Sequence, residues 1–199
     1  MKWNILKRVI PKPLRRVLKQ SLQNVRETGQ YSSAKGKYDC KSISHIIFVC
    51  KGNICRSAFA EYYLKSQLPE GVLKIESCGL DVDQGLTSPP EAVCVAKEFS
   101  LDLESNRSKG VESCDMHSAD LILPFEYRQY LLLIALFPGE KTKVKLLRDF
   151  APWPDRLLCN INDPYGSDEN EFRRCFRQIQ RAVEGLKSQL ARQENGYDS

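Results

Sequence analysis

The chain has 199 residues, 42% of them hydrophobic, which suffices for one domain with a proper core and a short appendage. Its net charge of +5 is unevenly placed: residues 1–42 hold eleven Lys and Arg against Glu27 and Asp39, while the other nineteen basic residues are outnumbered by twenty-three acidic ones. The eight cysteines form no paired framework and no secretory signal precedes them, so free thiols in a reducing cytosol are expected, with no zinc site, no membrane span and no nucleic-acid partner.

The first segment carries Leu6, Ile10, Leu14, Leu18, Leu22 and Val25 at steps of three or four, with Lys and Arg between them and Pro11 and Pro13 interrupting. This basic amphipathic pattern suits an anionic membrane surface, a partner groove or a transit peptide, and equally a helix packed on its own domain. Residues 28–42 are polar and rich in Gly and Ser, and read as a linker. The expected division is an extension and linker at 1–42, a folded domain at 43–192 and a polar tail at 193–199.

From Ile43 the two periodicities alternate. Strands are predicted at 43–50, 73–80, 119–124 and 143–147, and helices at 57–68, 89–99, up to about Phe137, and from about Asp168 to Ala191. Alternation of this kind predicts an α/β, doubly wound fold with a four-stranded parallel sheet flanked by helices. Ligands of such sheets bind at the carboxyl ends of the strands, where "CKGNICRS", residues 50–57, falls.

A loop from a buried strand into a helix points backbone N–H groups at its centre, and the helix start adds partial positive charge. Gly52 is expected to supply backbone geometry closed to other residues, and Asn53 tolerates the left-handed region. Arg56 offers a planar fork for two phosphate oxygens. Cys50 sits at the strand end facing this cradle, where N–H donors and an arginine favour the thiolate, and Ser57 can donate a hydrogen bond to it. A thiolate at the base of a phosphate site is a nucleophile aimed at phosphorus. The leaving oxygen then needs an acid, for which Asp163 in "NDPYGSDENEF" is the candidate, with Pro164 stiffening its loop and Tyr165 offering an aromatic wall.

The segments "VCKGNICRSA" and "DPYG" resemble the two signatures of the low-molecular-weight protein tyrosine phosphatases, and the similarity runs from about Ile43 to about Leu190. It includes "ESCGL" after the second strand and "ADLILPFE" at the third. The resemblance implies Cys50 as nucleophile, Arg56 as phosphate clamp, Asp163 as general acid and then base, and residues 51–57 (Lys51, Gly52, Asn53, Ile54, Cys55, Arg56, Ser57) as the phosphate-binding loop. It implies that Asn53 and Ser57 brace that loop, that Cys55 is a redox guard forming a reversible disulfide with Cys50, and that Tyr165 lines the substrate slot. The activity implied is hydrolysis of phosphotyrosine through a phosphocysteine, with no cofactor. The partner implied is a phosphotyrosine-containing protein, a tyrosine kinase among the candidates, met in the cytoplasm or at the inner membrane surface through residues 1–42.

The sequence departs from the family at several positions. Lys51 stands where an apolar residue is usual, Cys78 and Leu80 replace Ala and Thr, Asn106 stands near a usual His, and Phe125-Glu126 near Met-Asp; none of these is expected to touch the three chemical roles. Two other readings are an arsenate reductase of the related thiol-dependent family, with Cys78, Cys94 or Cys114 as relay, and a phosphopeptide-binding scaffold.

Overall fold

The computed structural model describes residues 12–34 and 43–194. Helix α1 (Lys12–Ala34) is followed by β1 (His45–Cys50), α2 (Arg56–Ser66), β2 (Lys74–Gly79), α3 (Pro90–Lys97), β3 (Leu121–Pro124), α4 (Tyr127–Leu136) and α5 (Glu169–Glu194). The sheet is parallel, in the order β2-β1-β3. Because β1 is central and covered on both faces, all six of its residues are buried. Ile46, Phe48 and Cys50 enter one core with α2, α3 and α5, while Ile47 and Val49 enter the other with α4. That two-sided burial is why β1 reads as an unbroken apolar run.

Three strands are present among the described residues, not the four expected. Residues 143–147 begin to pair: Ile122 N–H donates to the Lys143 carbonyl at 2.9 Å and Lys145 N–H to the Ile122 carbonyl at 3.0 Å. The next rung of a parallel ladder requires an N–H from residue 124, which is proline and has none. The chain turns instead into a 3-10 helix at Leu147–Phe150.

The segment 28–34, expected as linker, is the last part of α1; residues 35–42 lie outside the described residues, as do the apolar positions Leu6 and Ile10 and the tail 195–199. At Leu22 and Val25, the positions of the expected apolar stripe whose side chains are described, the stripe is not the face that docks. Leu22 and Val25 are each 62% exposed, whereas Asn24 and Tyr31 are buried. The Tyr31 hydroxyl donates to Asp149 Oδ2 at 2.5 Å and accepts the Leu146 N–H at 3.0 Å. Its ring meets Tyr130 edge-on at 5.2 Å. Burial, and then Asp149, push the Tyr31 pKa far up, so it remains a donor. Periodicity finds the apolar stripe but cannot show that a polar face with one tyrosine has better partners. Among the described residues no helix is long and apolar enough to cross a membrane.

Candidate active site

Cys50 ends β1 and is 3% exposed. The chain beyond it bends through residues 51–55 and enters α2 at Arg56. The bend is set at Asn53, whose φ of 53° is left-handed. Gly52 has no such φ, and a Cβ there would meet only Ile54 Cγ1 at 3.7 Å, an ordinary contact. The conformational role expected of Gly52 therefore belongs to Asn53.

Asn53 also organises the loop. Its backbone N–H donates to Cys50 Sγ at 3.2 Å, and its Nδ2 donates to Ser57 Oγ at 2.9 Å and Ser77 Oγ at 2.8 Å. Its Oδ1 accepts the Lys109 N–H at 3.0 Å and its carbonyl accepts Asn106 Nδ2 at 3.1 Å. Ser57 Oγ lies 3.0 Å from Cys50 Sγ and 3.3 Å from the Cys78 carbonyl. A thiolate has no proton to give, so with Cys50 ionised the Ser57 hydroxyl is the donor in that pair. Asn106 thus stands as a loop brace in the place where a histidine was expected.

Replacement of Ala and Thr by Cys78 and Leu80 does not remove bracing, because the bracing is done by the backbone. Leu80 N–H donates to the Cys50 carbonyl at 3.0 Å and Asp81 N–H to the Lys51 carbonyl at 2.9 Å. Gly79 permits that approach: a Cβ on it would stand 2.6 Å from the Lys51 carbonyl oxygen and 2.3 Å from Val82 Cγ2.

Arg56 is 1% exposed. One guanidinium nitrogen pairs with Glu126 Oε1 and with the Ile161 carbonyl at 3.0 Å, and the other with Asp163 Oδ2 at 2.6 Å. Its Nε is buried with no protein partner, a donor suited to a phosphoryl oxygen. Burial works against the Arg56 charge, but Asp163, Cys50 and Glu126 outweigh it and drive its pKa up. Glu126, one of the departures from the family pattern, therefore contacts Arg56; a carboxylate just after β3 was the available signal.

Asp163 opens a turn fixed at both ends: its Oδ1 accepts the Tyr165 N–H at 3.2 Å, and Gly166 takes φ 76°. A cavity of about 150 Å³ brings together Cys50, Lys51, Gly52, Ile54, Cys55 and Arg56 with Asp163 and Tyr165. Asn53 and Ser57 are buried behind it. Lys51 is mostly exposed, 3.7 Å from Asp81 at the rim. Burial, then Cys50, raise the Cys55 pKa well above an ordinary thiol. Cys175, which the sequence reading passed over, donates to the Asn162 carbonyl at 3.5 Å and is pushed up to about 12 chiefly by burial. Of the cysteines considered for a relay, Cys78 and Cys114 share one core, while Cys94 is exposed.

Residues 45–195 match the family model of the low molecular weight phosphotyrosine protein phosphatases. The low molecular weight protein-tyrosine-phosphatase Wzb of Escherichia coli K12 is 35% identical over 140 residues, 70% of this chain and 90% of Wzb. Among solved structures, the tyrosine phosphatase AmsI of Erwinia amylovora superposes with a TM-score of 0.67 at 28% identity, covering 77% of this chain and 97% of AmsI. The YwlE arginine phosphatase of Geobacillus stearothermophilus reaches 0.69 at 24% identity, over 77% of this chain and 96% of its own, a likeness of fold.

Proposed function

Because the chain belongs to the low molecular weight phosphotyrosine protein phosphatase family and is a protein-tyrosine-phosphatase of that type, we propose that Cys50 is its nucleophile, Arg56 its phosphate clamp and Asp163 its general acid and base. The observation that carries the assignment is the position of Cys50 Sγ. It is buried, receives the Asn53 N–H at 3.2 Å, has Ser57 Oγ at 3.0 Å, and lines one cavity with Arg56 and Asp163.

The Cys50 sulfur attacks phosphorus, the bond from phosphorus to the phenolic oxygen breaks, and the Asp163 proton goes to that oxygen. Asp163, now a carboxylate, takes a proton from water as its oxygen attacks the phosphocysteine; the P–S bond breaks and the thiolate returns. Arg56 Nε and the nitrogen now held by Asp163 face the equatorial oxygens, so the incoming dianion draws the guanidinium from Asp163 and frees the carboxyl for the leaving group. Tyr165 and Leu86 at the cavity rim supply flat and apolar walls for an aryl ring. We assign Cys55, which lines the same cavity as Cys50, as the residue whose sulfur attacks the sulfenic sulfur of peroxide-oxidised Cys50; the S–O bond breaks, the Cys55 proton leaves with the hydroxyl as water, and a disulfide forms.

Phosphate release from phosphotyrosine and p-nitrophenyl phosphate by wild type and Cys50→Ser tests the assignment, and wild type alone should turn over. Equal slow release by both favours the scaffold reading, and arsenate reduction with thioredoxin in the absence of ester hydrolysis favours the reductase.

We further propose that α1 brings the enzyme to an anionic membrane surface. Leu22 and Val25, each 62% exposed on a helix from the basic segment, support this. Co-sedimentation with anionic vesicles should fall on removal of residues 1–42; equal binding with and without them overturns it.

A further inference from the structure

A second cavity, of about 400 Å³, lies between α1 and the loop that carries Asp163. Its volume is in the range of ligand pockets, roughly 300–1,000 Å³. On the α1 side it is lined by Gln20, Gln23, Asn24 and Glu27, which are spaced i, i+3, i+4, i+7 and so share one helix face. The opposite wall includes Glu126, Asn162 and Asp163. Asp163 is the residue common to this cavity and the one holding Cys50.

The two walls are built as one unit. Asn160 Nδ2 donates to Asn24 Oδ1 at 2.7 Å and to Glu27 Oε2 at 2.6 Å, and the Cys159 N–H donates to Thr28 Oγ1 at 3.0 Å. Asn160 Oδ1 in turn accepts the Tyr127 N–H at 2.7 Å. The groove floor is thus held by buried amides, while Gln20 and Lys19 above it are exposed. The family match begins at residue 45, so this wall is an addition of this chain to the shared fold.

We propose that this groove is a binding site for the polypeptide on one side of the substrate phosphotyrosine, which reaches it by passing over Asp163. The inference rests on the phosphatase reading above. A phosphotyrosine bound at Cys50 has its main chain outside the first cavity, and Asp163 lines both cavities. Its lining suits an extended peptide: carboxamides donate and accept, matching alternating backbone N–H and C=O groups, and Lys19 offers a cation to an acidic side chain, while Arg128 stands 3.8 Å from Glu27. The exposed apolar positions Leu22 and Val25 do not line it, so peptide and membrane use different faces of α1.

The test compares kcat/KM for p-nitrophenyl phosphate, which has no flanking chain, with that for a phosphotyrosyl peptide, in wild type, Gln20→Ala/Lys19→Ala and the groove-filling Gln20→Trp, on full-length protein. The ratio of peptide to small-ester kcat/KM is expected to fall about tenfold or more in both variants, mainly through KM, and truncating the peptide on one side of the phosphotyrosine only should abolish the wild-type preference. A thermal melt confirms that the exposed substitutions fold. If wild type hydrolyses both substrates and the ratio is unchanged in the variants, or truncation matters on both sides or neither, the groove proposal falls while the phosphatase reading stands. If wild type hydrolyses neither substrate, both fall.

Discussion

Arg56 and Glu126 form an ion pair in which the arginine is almost wholly buried and the glutamate, just after β3, is 26% exposed. Asp163 holds the other end of the same guanidinium at 2.6 Å. In the proposed mechanism the two carboxylates differ in what substrate does to them: the phosphoryl group competes with Asp163 for Arg56, while Glu126, which does not line the Cys50 cavity, keeps its hold. Glu126 is thus a positioning residue that fixes the clamp as its other partner changes. Glu126→Gln keeps an acceptor and Glu126→Ala does not. We expect kcat/KM for p-nitrophenyl phosphate to fall about tenfold in the first and about a hundredfold in the second, about 1.4 and 2.7 kcal/mol of transition-state stabilisation. Glu126→Gln at wild-type activity beside an impaired Glu126→Ala would argue for a packing effect, and equal losses would mean that the charge alone sets the clamp.

How much of this was legible in the sequence depends on whether the signal was local. The order of strands and helices, and the placing of Cys50, Arg56 and Ser57 on one strand-loop-helix turn, follow from nearest-neighbour pattern, and "DPYG" marks its own turn. The pairing of Arg56 with Glu126 joins residues seventy apart; a carboxylate just after β3 is the one local sign of it, and it does not name its partner. The fourth strand failed for a reason that is local but lies on the partner, the missing N–H of Pro124. In α1 the apolar stripe was visible and yet was not the packed face, because Asn24, Thr28 and Tyr31 gain buried hydrogen bonds that periodicity does not weigh.

The loop glycines separate by the same reasoning. At Gly79 a Cβ would press on the Lys51 carbonyl at 2.6 Å and force the phosphate loop away from β2, whereas at Gly52 it would make only an ordinary contact. Gly79→Ala should therefore lose about tenfold or more in kcat/KM, about 1.4 kcal/mol, with a lowered melting temperature, while Gly52→Ala stays near wild type in stability. Crystal structures or loop amide exchange rates of the two variants check the displacement. Comparable destabilisation by both would contradict it.

The role of proton donor proposed for Asp163 makes its worth depend on the leaving group. p-Nitrophenolate departs readily without a proton, whereas phenolate, as in tyrosine, does not. Asp163→Asn should thus reduce kcat/KM, which reports the step in which the leaving group departs, by about 10²–10⁴-fold for phenyl phosphate and phosphotyrosine, and much less for p-nitrophenyl phosphate. A uniform loss across leaving groups would reassign Asp163 to holding Arg56.

A stability prediction concerns Asp120, one residue before β3. Its Oδ2 accepts the Ser44 N–H at 2.8 Å, the Ser44 hydroxyl at 2.9 Å and the His45 N–H at 3.0 Å, tying the entry of β1 to that of β3. Burial opposes the carboxylate, yet these hydrogen bonds and Lys143 outweigh it and hold its pKa below the ordinary value. A group with a depressed folded pKa stabilises above its unfolded pKa, about 3.9 for Asp, and loses that contribution as pH falls through the folded pKa. Asp120→Asn removes the charge that strengthens the bonds and cannot titrate, at a cost of about 1–2 kcal/mol at neutral pH, the lower end favoured by partial exposure. The gap between wild type and Asp120→Asn in urea unfolding should be constant from about pH 7 down to about pH 5, and should narrow below about pH 4 as the wild-type carboxylate takes up its proton. His45, bonded to Glu76 and Ser118, is common to both proteins and cancels in the difference. A gap that widens on acidification would mean that Asp120 is held protonated in the fold, the opposite of what three donors on one oxygen require.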